Sequence, residues 1–292
     1  MTRITLSRWL SALGAACLLA LPAVQAHADA GSLRAKYQDL REELRNNSFQ
    51  RQLYIDSTES ANALQGDVYA VLEHPLEKVK GSLQDANAWC DIMLLPFNTK
   101  YCHASDNQLA VRIGRKSTQT VEQAYKIDFR FQNAAATSDY FDSRLTAAQG
   151  PVGTRDYRIN VEAVSLDAGH TFMHLSYAYG YGTAGKIAMG AYLQTVGASK
   201  VGFSQSREPG EQGQLTGGVR GAIERNAMRY YLAIDAYLDS LAAPEAQRVD
   251  RRINAWFTAT ERYPKQLHEM DRAAYVQMKR AEYERQQTAA LN

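Results

Sequence analysis

Four segments of this chain alternate between apolar and polar residues with a period of two. They cover residues 108–114, 123–131, 156–166 and 171–181. The apolar positions of the three longer segments are Tyr125, Ile127, Phe129 and Phe131; Tyr157, Ile159, Val161 and Ala163; and Met173, Leu175, Tyr177, Tyr179 and Tyr181. Successive side chains of a strand point to opposite faces of a sheet. The repeated alternation therefore predicts an antiparallel sheet with one buried face, which needs another layer to cover it.

The longest helical pattern of the chain is a candidate for that layer. Over residues 219–241, apolar side chains recur at steps of three and four, as on a helix with one buried face. Those positions are Val219, Ile223, Ala227, Tyr230, Ile234, Leu238 and Leu241. The pattern predicts a long helix that packs on a curved sheet.

Other segments complete the expected order of elements. A strand is predicted over 67–74, followed by a helix that Pro75 begins and a second helix that Asp85 caps. The two helices cover residues 76–84 and 86–94. Further strands are predicted at 52–55, within an otherwise polar stretch, at 98–104, and at 200–205 as the last strand. A short helix is predicted around 138–145, and a helix or lid element over 183–196.

Both ends of the chain carry helical patterns outside the sheet. Residues 32–46 predict an amphipathic N-terminal helix. Pro244 and Pro264 bracket a C-terminal helical hairpin, which we expect to pack on itself or on the domain. Its apolar stripes are Val249, Ile253, Trp256, Thr260 and Tyr263, and then Leu267, Met270, Ala274, Met278 and Ala281.

The N-terminus has the features of a secretory signal peptide. Arg3 and Arg8 precede an apolar run too short and interrupted to span a bilayer, and the run ends in small-residue sites at 26–28 and 28–30. Cys17 lacks the large aliphatic residue that a lipoprotein signal needs three positions earlier, so a soluble exported protein is preferred. We therefore expect a periplasmic protein, with no membrane span after the signal.

The resulting division has four parts. It comprises the signal peptide at 1–30, an N-terminal helical leader at 31–65, one domain at 66–241 and the hairpin extension at 242–292. The whole chain has a net charge of +2. Cleavage after Ala28 removes two arginines and leaves a net charge of zero, which gives no electrostatic basis for binding nucleic acid or strongly anionic lipid.

Two cysteines remain after cleavage. Cys90 and Cys102 form an even pair in an oxidising compartment, which predicts a disulfide bond. A metal site that adds His103 is the alternative, but the spacing offers no second cysteine pair and no fourth ligand. We therefore predict no metal and no cofactor.

The order of elements resembles that of the START-like, or SRPBCC, superfamily. The stretch DVYAVLEHPLEKVKGSLQDANAWC is similar to its opening strand and helices, SYAYGYGTAGKIAMGAYLQTVGASKVGFS to its last strands and the loop between them, and GGVRGAIERNAMRYYLAIDAYLDSL to its closing helix. The resemblance implies an α+β helix-grip fold, in which a curved antiparallel sheet wraps around a long C-terminal helix and encloses an apolar cavity. The N-terminal helix and the C-terminal hairpin lie outside that core.

The resemblance also implies a hydrophobic small-molecule ligand, such as a lipid or sterol. Tyrosines suit the wall of such a cavity because each combines an apolar ring with a hydroxyl group. The candidate ligand contacts are Tyr125, Phe129, Tyr157, Met173, Tyr177, Tyr179, Met228 and Tyr231. For each of them, packing in an ordinary core is the alternative.

No catalytic motif stands out in the sequence. It has no G-x-S-x-G, H-E-x-x-H or P-loop pattern, so no catalytic residue is assigned. Glu224 and Arg225 would recognise a ligand head group if they faced the cavity. Helical spacing of Arg220, Glu224 and Asn226 instead favours an exposed, salt-bridged face.

Three functions remain open at this level. The first is a carrier that binds an apolar molecule in the periplasm. The second is an enzyme of the same fold, with buried polar groups of shifted pKa converging in the cavity. The third is a protein-interaction module with a filled core and an exposed apolar stripe on the hairpin at 243–290.

Overall fold

A computed structural model describes residues 30–115, 119–195 and 197–288 of the chain. Its strands are β1 (Leu53–Ser60), β2 (Ala63–Leu72), β3 (Thr99–Ser105), β4 (Gln108–Ile113), β5 (Tyr125–Ala136), β6 (Tyr140–Gln149), β7 (Thr154–Ser165) and β8 (Thr171–Tyr181). Its helices are α1 (Ala30–Asp39), α2 (Arg41–Arg45), α3 (Leu76–Leu83), α4 (Ala86–Leu94), α5 (Thr183–Gln194), α6 (Gly218–Ser240), α7 (Glu245–Thr260), α8 (Pro264–Leu267) and α9 (Arg272–Thr288).

The described strands form one curved antiparallel sheet in the order β1-β2-β8-β7-β6-β5-β4-β3. After β2 the chain leaves the sheet through α3 and α4, enters again at the far edge with β3, and returns strand by strand until β8 pairs with β2. The long helix α6 then packs against β1, β2 and β8. The predicted α+β helix-grip fold is confirmed by this order and by the helix that the sheet holds.

A glycine lets α6 approach the sheet closely. A Cβ atom at Gly66 in β2 would lie 3.0 Å from the carbonyl oxygen of Ile223 and 3.3 Å from the Cβ of Ala227. Both contacts are tighter than ordinary van der Waals packing. Ile223 and Ala227 belong to the predicted apolar stripe, and both are fully buried. The stripe therefore faces the sheet as expected.

The N-terminal helices cover part of the outer face of the sheet. Leu33, Leu40 and Leu44 are buried there against Val164 and Phe172, which point outward from β7 and β8. The predicted single helix is divided at Leu40 into α1 and α2. This second apolar layer explains why β8 is buried along most of both faces.

The C-terminal hairpin packs onto the domain. Helix α7 contacts α6, while α9 contacts α7, α4 and β3. Trp256 and Tyr275 are fully buried, and both rings pack against Phe97. The second predicted stripe is only partly correct, because the buried side chains of α9 are Tyr275, Lys279 and Glu282.

Two local predictions are wrong, and one is confirmed but too short. Residues 138–145, predicted to hold a short helix, belong mostly to strand β6. The short strand predicted at 52–55 is the start of β1, which pairs with β2 along its full length. The predicted last strand at 200–205 is absent from the described residues, where only a single bridge joins Gln205 to Leu215.

Two local predictions are confirmed, a disulfide bond and a helix N-cap. Cys90 and Cys102 form a disulfide bond that joins α4 to β3. Asp85 caps α4, since its Oδ1 accepts a hydrogen bond from the backbone N–H of Asn87 at 2.9 Å. Among the described residues, no helix combines the length and apolar character needed to cross a membrane. The predicted signal peptide lies outside the described residues except for Ala30.

Candidate functional site

A cavity of about 350 Å³ lies between the sheet, α6 and α5. The inner faces of β4, β5, β7 and β8 form its floor, and α6 forms one wall. The helix α5 and the turn at Pro151–Gly153 cover it. The lining comprises Asn98, Ile113, Ile127, Phe129, Pro151, Val152, Thr154, Tyr157, Tyr177, Tyr179, Gly185, Ala188, Met189, Tyr192, Ala222, Arg225, Asn226, Arg229 and Tyr230.

Aromatic rings dominate the floor of the cavity. Tyr157 stacks on Tyr179 with ring centroids 5.3 Å apart, and Phe129 meets the edge of Tyr157 at 6.3 Å. Tyr177 packs against Tyr230 of α6 at 5.3 Å. The strand residues stand on one face because they follow the period-two pattern. Their mutual contacts make a continuous aromatic surface.

The tyrosine hydroxyl groups in the cavity are neutral near pH 7. Burial raises the pKa of Tyr177 well above its usual value, and neighbouring tyrosines add to the shift. Burial also raises the pKa of Tyr157, Tyr179 and Tyr230. Tyr157 donates a hydrogen bond to Thr154 Oγ1 at 2.9 Å. These hydroxyls therefore offer hydrogen bonds but no anionic base.

Glu224, which was predicted to lie on an exposed face of α6, is buried, and so is its neighbour Arg225. Glu224 and Arg225 are 0 % and 1 % exposed. Glu224 accepts hydrogen bonds from the backbone N–H groups of Phe203 and Ser204 and from the hydroxyls of Ser57 and Ser204. The exposed-face interpretation failed because helical spacing cannot show that the segment before α6 folds over this side of the helix.

Arg225 reaches the cavity from the same stretch of α6. Its Nη1 donates to the carbonyl oxygen of Val201 at 3.1 Å, and its Nη2 donates to the hydroxyl of Tyr192 on α5 at 3.1 Å. A neutral hydroxyl of the covering helix thus holds a buried cation. This hydrogen bond connects the cover of the cavity to its wall.

Arg229 lies one helical turn further along the same wall. Its Nη2 donates to Glu269 at 2.7 Å and its Nη1 to Asn226 at 3.2 Å, whereas its buried Nε has no partner among the described residues. Burial lowers the pKa of Arg229, although Glu269 opposes the shift and Arg225 adds to it. The wall formed by α6 is therefore positively charged.

The segments that cover the cavity also carry exposed apolar side chains. Ile187 on α5 is 70 % exposed and Val152 is 41 % exposed, and these are the exposed large hydrophobic residues of the described chain. Val152 has φ 54° and ψ 41°, in the left-handed region that disfavours a β-branched residue. Such strain persists only where the surroundings impose it.

The structure places four of the eight predicted ligand contacts in the cavity lining. These are Phe129, Tyr157, Tyr177 and Tyr179. Their contact with a ligand stays a prediction. The other four lie elsewhere. Met173, Met228 and Tyr231 are fully buried in the core, and Tyr125 packs under the guanidinium of Arg115 on the partly exposed edge of β5.

Sequence reasoning missed most of the lining that α5 and α6 contribute, and named Arg225 only on the condition that it faced the cavity. Arg225 and Arg229 are four residues apart, so they share a helix face with Ala222. That spacing was a usable signal, because two arginines beside an apolar stripe mark the boundary of the buried face. The contribution of Met189 and Tyr192 could not be read from α5, whose pattern does not show which side meets the sheet.

The described part of the cavity lining holds no His, Asp or Glu side chain. The histidine on β8, His174, does not line the cavity. It lies on the outer face of the sheet, where its ring nitrogens hydrogen-bond to Asp67 and Glu162 at 2.8 and 2.9 Å. Within the described ranges, no group of three or more His, Cys, Asp or Glu residues is arranged to hold a metal ion.

Comparison with known proteins gives matches among solved structures only. No family model and no curated protein matches the chain. A START superfamily protein from Mycobacterium smegmatis is 12% identical with a TM-score of 0.32, over 47% of this chain and 92% of that one. Human StAR-related lipid transfer protein 5 is 9% identical with a TM-score of 0.35, over 73% of this chain and 98% of that one.

A third match is the Zhui aromatase/cyclase from Streptomyces sp. R1128. It is 14% identical with a TM-score of 0.32, and the alignment covers 72% of this chain and 95% of that one. Likenesses at this level concern the fold alone and carry no functional argument. The description of the fold as a helix-grip rests on the strand order and on the position of α6 in this chain.

Proposed function

We propose that this protein binds and carries a hydrophobic small molecule in the cavity between the sheet and α6. The observation that supports this most directly is the lining, in which five aromatic rings of the floor and wall face a covered space of about 350 Å³. Ligand sites are typically concave and mostly apolar, with a few polar groups that fix orientation. The tyrosine hydroxyls and the arginines of α6 are such groups.

Acid–base catalysis finds less support in the same cavity. The enzyme alternative needs convergent groups that gain and lose protons near neutral pH. Burial raises the pKa of Tyr157, Tyr177, Tyr179 and Tyr230, so these four hydroxyls stay protonated there, and the described lining has no carboxylate or imidazole. Binding is therefore preferred over turnover.

The hairpin alternative also finds less support. A protein-docking hairpin would expose an apolar stripe. Instead, α7 and α9 bury Trp256, Phe257 and Tyr275 against the domain, and neither exposed large hydrophobic residue of the described chain lies on the hairpin.

A probe-binding experiment tests the proposal. The neutral fluorescent probe N-phenyl-1-naphthylamine should bind the wild-type protein and show increased emission. Ala188→Trp places a bulky side chain on the cavity side of α5 and should abolish the increase. Ala273→Trp makes the same change at an exposed position of α9 and should leave it intact. Equal binding by all three proteins would contradict the proposal.

The place of action is part of the proposal and has its own test. The predicted N-terminal signal peptide supports export to the periplasm, where an apolar molecule between two membranes needs shielding from water. The mature protein isolated from a periplasmic fraction should begin at Asp29 or Gly31. An intact N-terminus on protein recovered from the cytoplasm would refute export.

A further inference from the structure

The proposed function leaves one feature of the cavity unexplained, which is the buried positive charge of Arg225. Arg225 is 1 % exposed, and no carboxylate of the described residues forms an ion pair with its guanidinium. Two of its five N–H donors are used, one on a backbone carbonyl and one on the neutral Tyr192 hydroxyl. A buried charge without an opposite charge is costly, so proteins normally pair it.

The nearby carboxylates are committed to other partners. Glu224, the next residue on α6, accepts four hydrogen bonds from the 203–204 segment and Ser57. Glu269 lies 2.7 Å from Arg229 and 3.8 Å from Lys200, so two cations share it. Neither carboxylate forms an ion pair with Arg225.

The cavity has an aromatic side and a side that carries arginines. The aromatic floor lies on the strands, whereas Arg225, Asn226 and Arg229 follow one another along the α6 wall. A ligand would thus meet apolar rings on one side and cationic or amide donors on the other. The planar guanidinium matches a carboxylate with two parallel hydrogen bonds, and the Tyr192 hydroxyl is a neutral partner that a carboxylate can replace.

We infer that the ligand is an amphiphilic anion, with an apolar body on the aromatic floor and a carboxylate bound by Arg225 beside Arg229. This inference rests on the proposed function and specifies the ligand class of the same cavity. A volume of about 350 Å³ lies near the lower end of ligand cavities and suits one compact or single-chain molecule. Because Tyr192 belongs to α5, the carboxylate competes with the contact that ties the cover to the wall.

The test is displacement of bound N-phenyl-1-naphthylamine by decanoate and by 1-decanol at pH 7.5. The two competitors share a ten-carbon chain and differ in the head group. Transfer out of water alone favours decanol, because the carboxylate is charged and better hydrated. We expect decanoate to displace the probe at a concentration at least about tenfold lower than decanol, the difference that one charge-assisted hydrogen bond produces.

Three variants assign the effect to Arg225. Arg225→Gln should remove the preference for decanoate while the neutral probe still binds. Tyr192→Phe leaves the guanidinium with one fewer partner and should keep or strengthen the preference, which separates recognition from a general loss of structure. Arg280→Gln removes an exposed arginine that pairs with Asp250 on the hairpin and should change nothing.

The outcomes separate the two proposals. If the probe binds and decanol competes as well as decanoate, the cavity is a ligand site and the anionic class is wrong. If Arg225→Gln retains the preference for decanoate, Arg225 is not the receptor. If the probe does not bind the wild-type protein at all, the proposed function is wrong and the inference with it.

Discussion

The disulfide bond offers a prediction whose magnitude follows from the structure. Cys90 and Cys102 are separated by 12 residues and tie α4 to β3. In the chain-entropy treatment, a loop of this length restricts the unfolded chain enough to stabilise the folded state by about 3 kcal/mol at 25 °C. For a chain of this size, that free energy corresponds to a decrease in Tm of roughly 6–12 °C on removing the bond.

The change to make is Cys90→Ala with Cys102→Ala. Both cysteines are buried, so alanine leaves only a small void at each position. Urea unfolding followed by circular dichroism should show the loss in the double variant, and a reductant should produce a similar loss in the wild-type protein. The reductant should have no effect on the double variant, which serves as the control.

Two results would refute this reasoning. Free thiols in the folded protein isolated from the periplasm would show that the bond does not form there. An unchanged urea midpoint in both the reduced protein and the double variant would show that the bond does not constrain the unfolded chain as calculated.

Three further predictions concern packing and charge. Burial lowers the pKa of Lys279 to about 8 although Glu282 opposes the shift, so the unfolded state binds more protons above that pH. Stability measured by urea unfolding should rise between pH 8 and 10.5, by up to about 3 kcal/mol, and Lys279→Met should lack the rise. Burial opposes protonation of His174, but its hydrogen bonds to carboxylates outweigh this and raise its pKa. The stability advantage of wild type over His174→Gln should be full below pH 6.5 and decline as pH rises through the raised pKa; a constant difference would contradict this. Gly66→Val should cost about 1–3 kcal/mol because its side chain meets the backbone of Ile223, whereas Gly81→Ala, with open space around it, should not destabilise.

The fold could be predicted because most of the sheet follows a simple rule. Where one face of the sheet is buried and the other is exposed to solvent, apolar and polar residues alternate, as they do in β5 and β7. The rule failed at β1, whose third inward position is Ser57, a buried hydroxyl that donates to Glu224. It also failed at β6, where four successive residues from Tyr140 to Ser143 are buried and no alternation is visible.

The segment at 200–205 failed for a different reason. Its apolar residues predicted a strand, but the backbone N–H groups of Phe203 and Ser204 donate to the Glu224 carboxylate. A side chain from α6 thus takes the hydrogen bonds that a neighbouring strand would have made. No local pattern reveals such a partner 20 residues away.

Only part of the cavity lining could be predicted, because the rest depends on contacts between segments that are distant in the sequence. Its floor comes from strands whose facing is fixed by the period of two, so Phe129, Tyr157, Tyr177 and Tyr179 were found. Its cover comes from α5, and its charged wall depends on which turn of α6 meets that cover. Helical spacing places Arg225 and Arg229 together beside the apolar stripe, but full burial of Arg225 depends on the tertiary arrangement.

The most direct test of the central claim is a native mass spectrum of the protein from a periplasmic fraction, which should begin at Asp29 or Gly31. If the cavity carries a ligand, the spectrum should show an added mass that organic extraction removes, and Ala188→Trp should lack that mass while Ala273→Trp retains it. A spectrum of bare protein that takes up neither neutral nor anionic apolar molecules would contradict the account.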